Sequence, residues 1–144
     1  NGRIGFERMS RELRQAQVFV TALPETNTVP GNPPPSLFEF QDGHEPSTLT
    51  YIRYHLIGTA LSREASYYSF PSAPETRVVF TSRDALGNAP TKTVIEDVTI
   101  AEGFENLQFW GGRLITVSAT LRSQDTALAL QTTLYARNIS GSGD

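Results

Sequence analysis

Phe6-Glu7-Arg8-Met9-Ser10-Arg11-Glu12-Leu13-Arg14-Gln15-Ala16, near the start of the chain, is the stretch from which the fold is read. Phe6, Met9, Leu13 and Ala16, continued by Val20 and Leu23, recur at alternating spacings of three and four and make one apolar stripe. Arg8, Arg11, Glu12 and Gln15 fall on the other side, and Glu7 stands four residues before Arg11, a favourable helical pair. The stripe predicts a helix from Ile4 until Pro24 stops it, roughly 30 Å long at about 1.5 Å per residue. Towards its end Val18, Phe19 and Ala22 make it apolar on more than one face, so that part is expected to be covered. No other segment reads convincingly as a helix.

Outward from this stretch the pattern changes. Residues 24–36 carry Pro24, Pro30, Pro33, Pro34, Pro35 and Gly31, an irregular connection expected to pack across the rest of the domain. Strands are expected after it. Phe38 and Phe40 share a face of Leu37–Gln41. Thr48–Ile57 alternates, with Ile52, Tyr54 and Leu56 on one face and Tyr51, Arg53 and His55 on the other. Gly58-Thr59 turns into Ala60–Tyr68. Arg77–Ser82 and Thr91–Ile100 read as a pair across residues 84–88. Phe104–Trp110 follows, ending at Gly111-Gly112. Arg113–Arg122 places Ile115, Val117, Ala119 and Leu121 inward, and Ala127–Ile139 buries Leu128, Leu130 and Leu134. The short connections favour antiparallel order. The expected fold is therefore α+β, a long N-terminal helix packed on antiparallel sheet. Residues 1–23 form the helix, 24–139 a β-rich head and 140–144 a flexible tail, all in one domain.

Composition narrows the function. The 144 residues carry 12 Lys and Arg against 15 Asp and Glu, a formal net charge of −3, and no basic stretch marks a nucleic-acid surface. The absence of cysteine removes disulfides, thiolate metal sites and cysteine nucleophiles together. His44 and His55 are the only bases with ordinary pKa values near neutrality. His55 shares a strand face with Arg53 and Tyr51, and His44 sits in the polar turn Asp42-Gly43-His44-Glu45-Pro46. Serines lack the Gly-x-Ser-x-Gly elbow, and Gly111-Gly112 is a turn rather than a phosphate loop. Glu96, Asp97, Glu102 and Glu105 bring no pocket-building pattern with them. No catalytic residue and no cofactor is expected. The weak metal candidates are Asp84, Asn88 and Asp97, oxygen donors for calcium that lack the regular spacing of a calcium loop.

Several stretches, in the right order and over nearly the whole chain, resemble the minor type IV pilins and pseudopilins of the W and J type. Phe6 through Ala16 looks like the exposed half of their long first helix. Leu37-Phe38-Glu39-Phe40 with Thr50-Tyr51-Ile52-Arg53-Tyr54 is similar to their first head hairpin. Leu61, Arg63 and Glu64 match the strand after its turn, and Glu105-Asn106-Leu107-Gln108-Phe109 resembles a later strand. Leu114-Ile115-Thr116-Val117 and Leu130 through Asn138 look like the last two strands. The family's cleavage glycine, acidic fifth mature residue and apolar membrane helix are absent from the sequence.

The resemblance implies a non-enzymatic subunit of a type IV pilus or type II secretion pseudopilus. Such a subunit waits in the bacterial inner membrane and periplasm before it enters a filament at the cell surface. Its partners would be other pilins or pseudopilins, and an upstream helix would hold it in the membrane. Arg8, Arg11, Glu12, Arg14 and Phe19 are the subunit-packing candidates. A major pilin or a DNA-uptake pseudopilin is the nearest alternative. A carbohydrate-binding or adhesive β-domain using Trp110, Tyr67 and Tyr68 is an alternative of another class.

Overall fold

The structure is a computed structural model and describes residues 2–44 and 46–135. It opens with one helix, α1 (Gly2–Arg14), followed by nine strands: β1 (Val18–Phe19), β2 (Leu37–Gln41), β3 (Tyr51–Ile57), β4 (Ala60–Phe70), β5 (Ala73–Val78), β6 (Thr91–Ala101), β7 (Phe104–Gly111), β8 (Leu114–Ser123) and β9 (Thr126–Tyr135). Strands take up about half of the described residues and α1 about a tenth. The fold is therefore mostly β, two antiparallel sheets with one short helix, and the expected α+β fold with a long helix is overturned.

The correction lies at residues 15–23. α1 has 13 residues, and its last turn tightens through Gln15 N–H to Glu12 O (3.1 Å) and Ala16 N–H to Leu13 O (3.1 Å). The chain then enters the first sheet. Gln17 N–H donates to Gln41 O at 2.8 Å, and Val20 N–H to Glu39 O at 2.9 Å. β1 pairs antiparallel with β2, Val18 opposite Gln41 and Phe19 opposite Phe40. Val18, Phe19, Val20 and Thr21 are β-branched or aromatic, and sheet edge hydrogen bonds outweigh the few helical bonds they would have made.

The first sheet runs β1-β2-β3-β4, with β4 at its centre of gravity. Tyr68 of β4 pairs with Val78 of β5 and with Lys92 of β6, so β5 and β6 flank β4 on opposite edges. This corrects the expected pairing of the segments before and after residues 84–88 with each other. The second sheet is a simple β7-β8-β9 meander. Gly111, at φ +127°, makes its first turn, where a Cβ would lie 2.0 Å from the Leu114 carbonyl oxygen. The described part of the last strand stops at Tyr135, and residues 136–144, including the expected tail, lie outside the described residues.

The core lies between the sheets and under α1. Phe38 and Phe40 of β2, Ile52 and Tyr54 of β3, Phe104, Leu107 and Phe109 of β7, and Ile115, Val117 and Ala119 of β8 are all fully enclosed. Phe38 and Phe109 stack across the sheets at 5.4 Å. Leu134 is buried and Leu130 half-buried, whereas Leu128 is 39% exposed, contrary to expectation, because β9 sheds its apolar cover towards its start. α1 enters this core with Phe6, Met9 and Leu13, and Ala16 follows it. Gly5 lets the helix cross the end of β6, since a Cβ there would lie 2.7 Å from the Cβ of Ala101. The proline-rich segment packs along β7, whose Phe109 and Gly111 N–H groups donate to the carbonyls of Pro35 (3.1 Å) and Pro24 (2.8 Å).

Candidate interaction site on the helix and its anchor

Helical geometry divides the candidate residues of α1 between two faces. Arg8, Arg11 and Arg14 are exposed and form the outer side. Arg11 and Arg14 lie in the last turn, where their charge also favours the helix terminus. Glu12 belongs with the inner face, not the outer one expected. It stands three residues after Met9, so it shares the stripe that meets the sheet.

There Glu12 meets Arg63, which the register places on the core face of β4 directly opposite Tyr54 of β3. Arg63 Nε donates to Glu12 Oε1 at 2.9 Å and Nη2 to Oε2 at 2.7 Å, a bidentate pair. The Tyr54 hydroxyl donates to the same Oε1, and Arg63 Nη1 reaches Glu96 of β6 at 3.1 Å. Burial opposes ionisation of Glu12, but hydrogen bonds from Arg63 and Tyr54 and the charges of Arg63 and Arg8 outweigh it and hold the carboxyl below its ordinary value. Burial, reinforced by the Glu12 charge, pushes the Tyr54 phenol well above the usual tyrosine range. One helical carboxylate thus ties α1 to β3 and β4, and Arg63 extends the link to Glu96 of β6.

Phe19 also turns inward. Its ring meets Phe38 edge-on at 4.9 Å, so it belongs to the rim of the core rather than to a partner-facing surface. Of the five packing candidates, the three arginines remain outward, while Glu12 and Phe19 are used within the chain.

A second polar cluster, on the opposite face of the first sheet, escaped the sequence reading. Glu39, Arg53 and Glu64 are in register across β2, β3 and β4. Glu39 and Glu64 are only 6% and 5% exposed. Lys92 Nζ lies 3.0 Å from Glu39 Oε1 and 2.6 Å from Glu64 Oε1, the latter an ion pair without hydrogen-bond alignment. Arg53 reaches Glu64 Oε2 at 3.1 Å, and the Tyr68 hydroxyl donates to Glu39 Oε2 at 2.6 Å. Phe80 closes the cluster over Tyr51 and Tyr68, its N–H donating to the Tyr51 hydroxyl at 3.0 Å. Two acids face two cations, so the group is neutral and internally paired. The available signal was Glu39 itself, a charge placed between two core phenylalanines and therefore aimed at the other face.

The remaining candidates are dispersed. Asp84 and Asn88 meet in one turn, where the Asp84 carboxylate accepts from Leu86 N–H (2.9 Å), Asn88 N–H (2.8 Å) and the Asn88 side-chain amide (3.3 Å). Asp97 lies on β6 opposite Glu64. Among the described residues no group of three or more His, Cys, Asp or Glu is placed to hold a metal ion. His44 is exposed, its N–H donating to Asp42 Oδ1 at 3.0 Å, and His55 lies on β3 opposite Leu37 and Ser62. Tyr67 and Tyr68 are adjacent in β4 and point to opposite faces, Tyr67 under the Arg77 guanidinium at 4.6 Å. Trp110 belongs to the other sheet. The three aromatics therefore do not form one platform for a sugar. No helix among the described residues is long and apolar enough to cross a membrane. Compared with protein-family models, curated proteins and solved structures, the chain matches none.

Proposed function

We propose that this chain is the head of a filament subunit of the minor type IV pilin and pseudopilin kind, working by assembly rather than by catalysis. The observation that carries the reading is the division of α1 into two faces. Its inner face is locked to the head by Met9, Leu13 and the Glu12–Arg63–Tyr54 anchor, while Arg8, Arg11 and Arg14 face outward. A filament subunit needs this coupling, because force on its helix must reach its head without a hinge. The run of resembling segments from Phe6 to Asn138 supports the same reading. In it, other pilins or pseudopilins meet the arginine face, an upstream apolar helix holds the subunit in the inner membrane, and assembly carries it into a pilus or pseudopilus.

The test is a photocrosslinking amino acid in place of Arg11, introduced into the native gene. The expected result is a crosslink to a subunit that mass spectrometry identifies as another pilin-class protein, together with loss of surface filaments or of secretion when the gene is deleted. Unchanged filaments and secretion after deletion, with Arg11 crosslinking to no such subunit, overturn the proposal.

A further inference from the structure

The outward face of the second sheet plays no part in the contact through α1. Leu107 and Phe109 of β7 and Ile115, Val117 and Ala119 of β8 point into the core. The residues between them therefore point out, and none of these outward positions is buried. Register sets them in rows across the three strands. Gln108, Ser118 and Gln131 make one row, and Trp110, Thr116 and Thr133 the next. The row before them, led by Asn106, is uncharged too. Within the strands charge enters only at one end of this face, where Arg122 pairs with Glu105 and Asp125 lies in the turn beyond. Past the other end Arg113 donates to the Tyr135 hydroxyl at 3.2 Å.

That chemistry selects a class of ligand. Rows without charge give neither an anion nor a cation a partner. Amide and hydroxyl side chains both donate and accept, as sugar hydroxyls do, and the Thr116–Thr133 hydroxyl pair (3.1 Å) keeps one hydrogen free for a ligand. The Trp110 indole adds a broad apolar surface against which the C–H side of a sugar ring packs. Tyr135, 54% exposed, is a second such ring. It stands two strands and two residues away from Trp110, roughly 12 Å at about 4.8 Å between strands and about 3.4 Å per residue. One sugar ring does not bridge that interval, and a chain of them does. The β8–β9 ladder runs without a register shift, so the surface is broad rather than concave. It suits a polymer lying along it better than a small molecule, which needs a pocket.

We infer that this face binds a neutral polysaccharide chain, with Trp110 and Tyr135 stacking on its rings and Gln108, Gln131 and Thr133 bonding its hydroxyls. α1 packs on the inner side of the same sheet, so the face looks away from the helix, and a filament subunit carries it outward. The binding itself does not rest on the filament reading.

Trp110 is the only tryptophan in the chain, so its emission reports on this face. The protein is titrated with soluble hydroxyethylcellulose, starch, dextran and galactomannan, beside glucose and the anionic polymer alginate, and is run through native gels cast with each polymer. The expected result is a blue shift and a retarded band with at least one neutral polymer, and neither with glucose or alginate. Trp110→Ala abolishes the retardation, while Tyr135→Ala, Gln131→Ala and Thr133→Ala each weaken it several-fold. Leu86→Ala, on an exposed turn elsewhere, leaves it unchanged. Gln131 and Thr133 are exposed, so these variants keep the test intact if Trp110→Ala fails to fold, and thermal melts check each one. No response to any neutral polymer, an equal response to alginate, or retardation indifferent to the Gln131 and Thr133 changes overturns the proposal. The Arg11 crosslink reports separately on the filament, and either result can fail alone.

Discussion

Replacing Glu12 by alanine removes both oxygens that the Arg63 guanidinium grips. Arg63 has a side chain only 10% exposed and keeps Glu96, itself 51% exposed, as its acidic partner. Breaking a fully buried pair from one side costs about 3–5 kcal/mol, and losing an exposed pair costs under about 1 kcal/mol. The Glu12 side chain is 20% exposed, nearer the buried limit, so Glu12→Ala is expected to cost about 2–3 kcal/mol. For a domain of this size that lowers the melting midpoint by roughly 6–12 °C. Urea unfolding followed by circular dichroism measures the free energy, and a cycle with Arg63→Met separates the pair from its surroundings. The coupling expected is about 1–3 kcal/mol. A Glu12→Ala midpoint equal to the parent's, or a cycle whose single changes simply add, would show that apolar packing alone holds α1 and that the ionic anchor contributes nothing.

Leu13 is fully enclosed, and Leu13→Ala should cost about 2–4 kcal/mol in the same urea assay; an unchanged midpoint would refute its role in the core. Stability should fall in acid through Glu12, whose folded-state carboxyl lies below its ordinary 4.5. Its contribution is complete above that value and is lost as pH drops through the lower folded value, and Glu12→Gln should flatten this slope. In base the signs reverse. Tyr54, Tyr68 and Tyr51 all have phenols raised by burial above the ordinary 10, so the stability they confer is present below pH 10 and lost as pH climbs beyond it. Tyr54→Phe should lessen that alkaline loss in pH-dependent melts. Residues 1–144 should scatter light as a monomer at micromolar concentration, because the contacts between heads are small; a tight oligomer would contradict this.

Much of the strand content was legible because alternation survives burial. Ile52 and Tyr54 against Arg53, and Ile115, Val117, Ala119 and Leu121 along β8, point inward as their period of two requires. The helix was legible only to Arg14. Beyond it Val20 and Leu23 fit a helical stripe by position, and the β-forming character of Val18-Phe19-Val20-Thr21 was the competing signal. A long-range bond settled the conflict, Gln17 N–H to Gln41 O, and local spacing carries no trace of it. The same limit hid both polar clusters. Arg63 is 51 residues from Glu12 and Lys92 is 53 from Glu39, so neither pair leaves a pattern in the chain. Glu12 was put on the wrong face because its charge was given more weight than its spacing from Met9.

The proline-rich segment beside β7 has a consequence for how the second sheet ends. A strand offers donors and acceptors alternately along its margin, and a neighbouring strand of the usual kind would answer them and then expose a fresh margin of its own. Pro24 and Pro35 answer Phe109 and Gly111 with carbonyls alone, since proline has no N–H to give. With both N–H groups already taken, a further strand finds no donor at Phe109 or Gly111, a safeguard against edge-to-edge aggregation on that side.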